Sequence, residues 1–390
     1  MRKVYLDHNA TTPLDPEVFE AMLPYLKETF GNPSSTHQFG RKARVALDEA
    51  REKVAKFLGA RPSEIVFTSG GTEADNLAIR GVISANRDQG QHIITSQIEH
   101  HAVLDTCKDL ERDGIEVTCL PVDGEGLVSP DQVAESIRPD TVLITIMHAN
   151  NEVGTIQSIE EISLLAREKG IYMHTDAVQS FGKIPCEVDR LGIDLLSLSA
   201  HKIHGPKGIG ALYIRNGTQM HALMTGGPHE MKRRGGTENV AAIVGLGKAC
   251  EIASEMMERE AGQLMVLRDR LHEGLASQLS SVRLNGHPTK RLPTTVNLSF
   301  AHIDGESLLI NLDLKGIAVS MGSACSSGSL EPSHVLRAMG LTPEWIRGSL
   351  RFSVGKENTM DDIDYVFEVL PPIVERLRRT DERRETRDER

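Results

Sequence analysis

Short apolar, β-branched runs separated by helical stretches constrain this chain more than any other feature. Residues 64–68 (Glu-Ile-Val-Phe-Thr) form one such run, followed by Gly70, Gly71 and a helical stretch over 72–83. Residues 92–96 form a second, followed by an amphipathic stretch over 102–112. Residues 141–147, 171–175, 194–198 and 210–214 read as further strands. Continuous apolar runs between helices mark strands covered on both faces, so the expected fold class is α/β with a largely parallel sheet. Over 38–58 the period is helical, with Ala43, Ala46, Leu47, Ala50, Val54, Phe57 and Leu58 on one face. Gly59 is placed to end that helix. Residues 245–279 read as a long, mostly helical connection to a second unit. Strand-like segments at 295–300 and 349–354, with helices between and after them, predict a smaller α+β domain.

Composition narrows the function classes. The 390 residues suffice for two or three domains at about 100–200 residues each. With 39% hydrophobic and 25% charged residues the chain is ordinary globular material, which argues against wholesale disorder. A net charge of −11 disfavours a surface that coats nucleic acid or binds membranes. The start of the chain turns polar after three residues, unlike a secretory leader, and the mostly apolar run over 142–147 is far short of the ~20 residues of a membrane span. Five cysteines (107, 119, 186, 250 and 325) are an odd number without a CxxC pair. That fits a reducing cytosol rather than a disulfide framework or a Cys-rich zinc site. The expectation is a cytoplasmic enzyme. Residues 375–390 carry seven Arg against six Asp or Glu, a near-neutral mixture that reads as a frayed helix end rather than a nucleic-acid arm.

Three segments carry chemistry. Lys202, in Ser199-Ala-His-Lys202-Ile-His204-Gly-Pro-Lys207, follows a predicted strand beside a Gly-rich turn, where a lysine can serve as a nucleophilic amine; Lys207 is the rival lysine. Asp176, in Asp176-Ala-Val-Gln179, ends another strand. It is suited either to a helix N-cap or to pairing with a pyridinium nitrogen. Thr68-Ser-Gly-Gly-Thr72-Glu places two glycines between a strand and a helix start, a common turn that can also cradle an anion. Taken together, phosphate cradle, ring-nitrogen carboxylate and Schiff-base lysine fit pyridoxal phosphate. His201-x-x-His204 has a spacing a metal can use, as do the adjacent His100 and His101, but nothing completes a familiar zinc set. Cys107, Cys119, Cys186 and Cys250 read as small packing residues. Cys325 differs, because Met321-Gly-Ser-Ala-Cys325-Ser-Ser-Gly-Ser is a run of small residues able to move.

Those segments, with Glu99-His100-His101-Ala-Val, Asn150-Asn151-Glu-Val-Gly, Arg234-Gly-Gly-Thr237-Glu-Asn and Gly322-Ser-Ala-Cys325-Ser, make the chain resemble the cysteine desulfurases of the NifS/IscS type. These belong to the class V group of fold type I pyridoxal-phosphate enzymes, and the resemblance spans essentially the whole sequence. It implies a large cofactor-binding domain at 15–260 and a small domain at 1–14 and 261–380 with a mobile Cys loop at about 321–331. A charged tail, 381–390, completes the expected organisation. It implies that Lys202 carries the cofactor and moves protons, that Asp176 binds the ring nitrogen, and that Gln179 and Asn151 contact the ring oxygen. Gly71, Thr72, Ser199 and His201 would hold the phosphate. His100 would stack on the ring and handle protons, and Arg351, with Asn151, would bind the substrate carboxylate. Thr237 would reach the phosphate of the neighbouring subunit in a homodimer. Cys325 would take sulfur from L-cysteine as a persulfide, pass it to an iron–sulfur scaffold or another sulfur acceptor, and transiently ligate a nascent cluster. Selenocysteine lyase or aminotransferase chemistry on the same cofactor, or a sulfur-relay platform without turnover, are the alternatives. No nucleic acid or membrane partner is expected.

Overall fold

The computed structural model describes residues 2–321 and 332–388, with side chains through 379. Cys325 and residues 389–390 therefore lie outside the described residues.

The strands are β1 (Val4–Tyr5), β2 (Ile65–Thr68), β3 (His92–Ser96), β4 (Glu116–Leu120), β5 (Thr141–Thr145) and β6 (Tyr172–Asp176). They continue with β7 (Leu195–Ser199), β8 (Gly210–Ile214), β9 (Val282–Asn285), β10 (Thr295–Phe300), β11 (Ile317–Ala318) and β12 (Ser349–Ser353). Seven of them form one sheet in the order β2-β8-β7-β6-β5-β3-β4. Only β8 runs against its neighbours; the other pairings are parallel. Every residue of β2, β3, β5, β7 and β8 is buried, as strands covered on both faces must be. One face packs on the helices Gln38–Leu58 and Val240–Gln278 through Leu47, Val54, Phe67, Leu196, Phe181 and Leu246. The other packs on Gly71–Ala85 and His101–Glu111 through Leu77, Val82, Val103, Val66 and Leu212.

The helix Gln38–Leu58 has the expected bounds and buries Ala43, Ala46, Leu47, Ala50, Val54 and Leu58; Phe57 is only partly buried, packed against the core. Gly59 caps it in a left-handed conformation at φ 67, where a Cβ is costly. The long helix begins at Val240, five residues before the 245 expected from its apolar pattern, because Asn239 caps it by accepting from the Ala242 N–H at 3.3 Å. Its first turns bury Val240 against Ala43 and Ala46 and bury Ile243 and Leu246 in the large sheet's core, and its last bury Leu264, Leu267, Leu271 and Leu275 in a second core.

That second core surrounds the antiparallel sheet β12-β10-β9, with Leu298, Phe300 and Phe352 facing Leu6, Leu308, Ile363 and Val366. β1 pairs with β11, and Asp7 bridges to Ser353, so the first residues of the chain lie against this sheet. Four strands were not anticipated: β1 and β11 have two residues each, β9 has four and β4 has five. β4 is the edge of the large sheet with only Leu120 buried, so its residues lack the apolar run that marks the buried strands. For the same reason Cys119, on β4, is exposed rather than the packing residue expected, while Cys107, Cys186 and Cys250 are buried. Among the described residues no helix is long and apolar enough to cross a membrane.

Candidate active site

In a parallel sheet the carboxyl ends of the strands and the loops after them form one rim, where α/β folds bind ligands. Here the segments after β2, β3, β5, β6 and β7 converge on a cavity of about 320 Å³. Gly71, Thr72, His100, Asn151, Asp176, Gln179, Ser199, His201, Lys202 and Arg351 all line it. Of the expected site residues, Cys325 lies outside the described residues, and Thr237 is exposed in a separate groove with Ser69, Glu230 and Arg234.

Lys202 lies in a single turn of 3-10 helix directly after β7. Its Nζ donates to the backbone carbonyls of Asn9 at 2.5 Å and Ala10 at 3.0 Å, which pins the amine at the cavity wall. Asp176 ends β6 with both readings of its role visible. It accepts from the Val178 N–H at 2.8 Å, as a local cap does, and it also lines the cavity. Burial pushes its carboxyl upward, and pushes the fully buried Asp75 beside it well above the usual range, with the Asp176 charge adding to the effect. Among the described residues Asp75 Oδ1 has no hydrogen-bond partner, with His174 Nε2 3.7 Å away. Two crowded carboxyls at the cavity floor suit a protonated ring nitrogen.

Another part of the lining suits a phosphate. Gly71 and Thr72 open the helix Gly71–Ala85, whose first N–H groups have no partner within the helix. A Cβ on Gly71 would come within 2.5 Å of the Val178 side chain, so only glycine lets this turn approach so closely. Ser199 is buried, and His201 is held by a contact of 3.1 Å between its Nδ1 and Thr11 Oγ1. Burial first, then Lys202, Lys207 and Lys183, push the His201 imidazole down to about 4. These residues fit pyridoxal phosphate at both ends.

His100 caps the helix His101–Glu111 by accepting from the Ala102 N–H at 3.1 Å through Nδ1. A neutral ring must then carry its proton on Nε2. Burial, with Lys202 and His101 close by, pushes its pKa down to about 4, so the neutral form prevails near pH 7. The turn before it is anchored by Glu99, which accepts from Ser96 Oγ at 2.5 Å and from the Met147 N–H at 2.9 Å. Burial raises that carboxyl to about 8.

Arg351 is 2% exposed. Its Nη2 meets Asp7 at 2.7 Å and its Nη1 donates to the Asn151 carbonyl at 3.1 Å, while Nε has no partner among the described residues. Asn151 takes part through this backbone oxygen as well as by lining the cavity.

Four residues enter the site without having been singled out as site residues: Asp7, Asn9, Asp75 and Lys183. Asn9 organises the wall. Its carbonyl accepts from both Lys202 and Gln179 Nε2, the latter at 2.9 Å, and its Nδ2 donates to Thr295 at 2.9 Å. Lys183 Nζ donates to Gln179 Oε1 at 3.1 Å. Its surroundings, then Lys202 and Arg351, push it down to about 7. The available signals were its position four residues after Gln179 and, for Asp7 and Asn9, the polar run Asp7-His-Asn9 directly after an apolar strand.

A model of the family described as aminotransferase class-V matches residues 4–366. The chain is 57% identical to cysteine desulfurase IscS of Dictyoglomus turgidum over 97% of its own length and 96% of the relative's. It is 58% identical to cysteine desulfurase IscS of Methanosarcina thermophila, over 97% and 93%. Among solved structures it is similar to a NifS-like protein, with a TM-score of 0.91 at 40% identity covering 96% of this chain and 100% of that one. It is also similar to SspA in complex with cysteine, with a TM-score of 0.81 at 42% identity covering 90% and 99%. The strand-end cavity, its lysine and carboxylates and these full-length similarities agree: the chain belongs to the class-V aminotransferase family and is a pyridoxal-phosphate-dependent enzyme of fold type I.

Proposed function

We propose that this protein is a cysteine desulfurase that converts L-cysteine to L-alanine and passes the sulfur on through a persulfide on Cys325. Full-length relatives at 52–58% identity that are named cysteine desulfurases carry this reading. When bound, pyridoxal phosphate supplies an electron sink for the substrate α-carbon. Lys202 would hold the cofactor covalently and move the α-proton, and Asp176 would keep the ring nitrogen protonated. Gln179 and Asn151 would address the ring oxygen. Gly71, Thr72, Ser199 and His201 would bind the phosphate, joined by Thr237 of a second copy. His100 would lie over the ring and hold a proton on Nε2.

Arg351, which lines the cavity, would bind the substrate carboxylate with Asn151 alongside. The Cys325 thiolate would attack the substrate sulfur. An S–S bond forms as the C–S bond breaks, and the carbon skeleton keeps that electron pair and takes a proton to become alanine. The loaded sulfur would then go to an iron–sulfur scaffold or another acceptor protein in the cytosol. In this reading residues 15–260 bind the cofactor, and 1–14 with 261–380 form the small domain. Alanine and sulfide measured together from L-cysteine with a reductant test the proposal. Equal yields of the two support it, and alanine formation from an amino donor without sulfide would instead identify a transaminase.

A further inference from the structure

The geometry points to a divalent-cation site of the zinc class formed by His8, His204 and Glu357, which the desulfurase reaction does not use. Three distant stretches supply it: the segment after β1, the turn two residues beyond Lys202, and the loop after β12. One ligand atom from each residue lies within 4.8 Å of the others. Zinc binds histidine nitrogen and carboxylate oxygen at about 2.0–2.2 Å, so ligands of one ion sit about 3–4 Å apart, and small side-chain adjustments would close the set.

One imidazole has a ring nitrogen engaged by a backbone carbonyl, as metal-ligating histidines do, and the other has a buried nitrogen without a partner among the described residues. His204 Nδ1 lies 3.0 Å from the Pro13 carbonyl, which can only accept, and 3.6 Å from Glu357 Oε1; Nδ1 therefore carries the proton, Nε2 keeps a lone pair, and the ring would have to turn for Nε2 to reach an ion shared with Glu357. The His8 Nδ1 has no hydrogen-bond partner among the described residues. His8 is only 3% exposed. A buried polar nitrogen without a partner destabilises the fold, and an ion would relieve that. His204 is also held at φ 61, a left-handed conformation that residues with a Cβ normally avoid. Its N–H to Thr12 Oγ1 at 2.8 Å and its carbonyl to the Asp15 N–H at 3.0 Å keep it there.

Glu357, 46% exposed, adds the negative charge and a route from solvent. The neighbouring Lys356 is engaged in an ion pair with Asp15. His201, the pairing that sequence spacing suggests for His204, is instead turned to Thr11. An ion here would tie the start of the chain to both sheets. It would sit one residue from Asn9, whose carbonyl holds Lys202.

The test uses the cofactor-loaded, chelator-stripped protein carrying Cys325→Ser, so that this thiol does not compete. Zinc chloride is titrated by calorimetry, and the unfolding midpoint is measured with and without zinc. The expected result is one zinc per chain with a raised midpoint, and at least roughly tenfold weaker binding in both Glu357→Gln and His204→Gln. Glu357 is half exposed, so its variant tests the site without disturbing a core. Absence of zinc binding, or wild-type affinity in either variant, would overturn the site.

Discussion

A side-chain amide has one accepting end and one donating end, and only its neighbours decide which way it points. At Gln179 the decision belongs to Lys183, whose ammonium can only donate and therefore claims Oε1, turning Nε2 toward Asn9 and the cavity. Lys183→Met should free that amide and weaken cofactor binding about tenfold, since hydrogen bonds to charged groups are worth roughly 1.5–3 kcal/mol. It should also move the pH midpoint of the enzyme's visible absorbance upward, because a positive charge near Lys202 is gone. A spectrophotometric titration checks both effects, and an unchanged midpoint with unchanged cofactor affinity would remove Lys183 from the site. Lys202→Ala should abolish the visible band, and borohydride should fix the label on the wild-type peptide containing Lys202 rather than Lys207. Lys202, Asp176 and His100 were legible in the sequence because each stands in a distinctive run at a strand end. Lys183 and Asn9 were not: Asn9 acts through a backbone carbonyl on residues 170 or more positions away, and the four-residue spacing of Lys183 from Gln179 does not reveal which amide atom it takes.

Elements were legible where burial imposes a period. The helix Gln38–Leu58 and the strands β3 and β8 follow directly from their apolar patterns, whereas the edge strand β4 has no such pattern to read. Gly59 tests the helix end. Nothing lies within 4 Å of a Cβ placed there, so Gly59→Ala should cost only the left-handed strain, about 1–2 kcal/mol, read from the unfolding midpoint. A contact invisible in the sequence fixes the segment before Thr237. Arg51 grips Glu230 with two hydrogen bonds, of 2.7 and 2.6 Å, and Glu230 also accepts from the Phe67 N–H at 2.9 Å. Both side chains are buried, so Glu230→Ala should destabilise the protein by about 3–5 kcal/mol, because it strands the Arg51 charge. Denaturant unfolding measures this, and a loss below about 1 kcal/mol would show that water reaches Arg51.

At the scale of the whole molecule, Thr237 stands apart from the cavity that the other described site residues share. A homodimer in which Thr237 completes the partner's site, as proposed above, would account for that separation. Lys202→Ala and Thr237→Ala, each impaired alone, should regain activity when their subunits exchange, because one site of the mixed dimer carries neither defect. A monomer on sizing, or no recovery after proven exchange, would contradict the shared site. Sequence pattern conveyed the α/β class and the strand-end location of the chemistry, since both follow from local periodicity and turn residues. The closure of the two sheets around the start of the chain rests on pairings such as Asp7 with Ser353, which local pattern cannot show. The chemistry itself turns on where the sulfur goes. Cofactor-loaded protein given L-cysteine without reductant should gain the mass of sulfur on the peptide containing Cys325. That gain should vanish in Lys202→Ala, and Cys325→Ser should carry no sulfur and lose alanine formation. Undiminished alanine from Cys325→Ser, with no sulfur on the wild-type peptide, would contradict the proposed transfer.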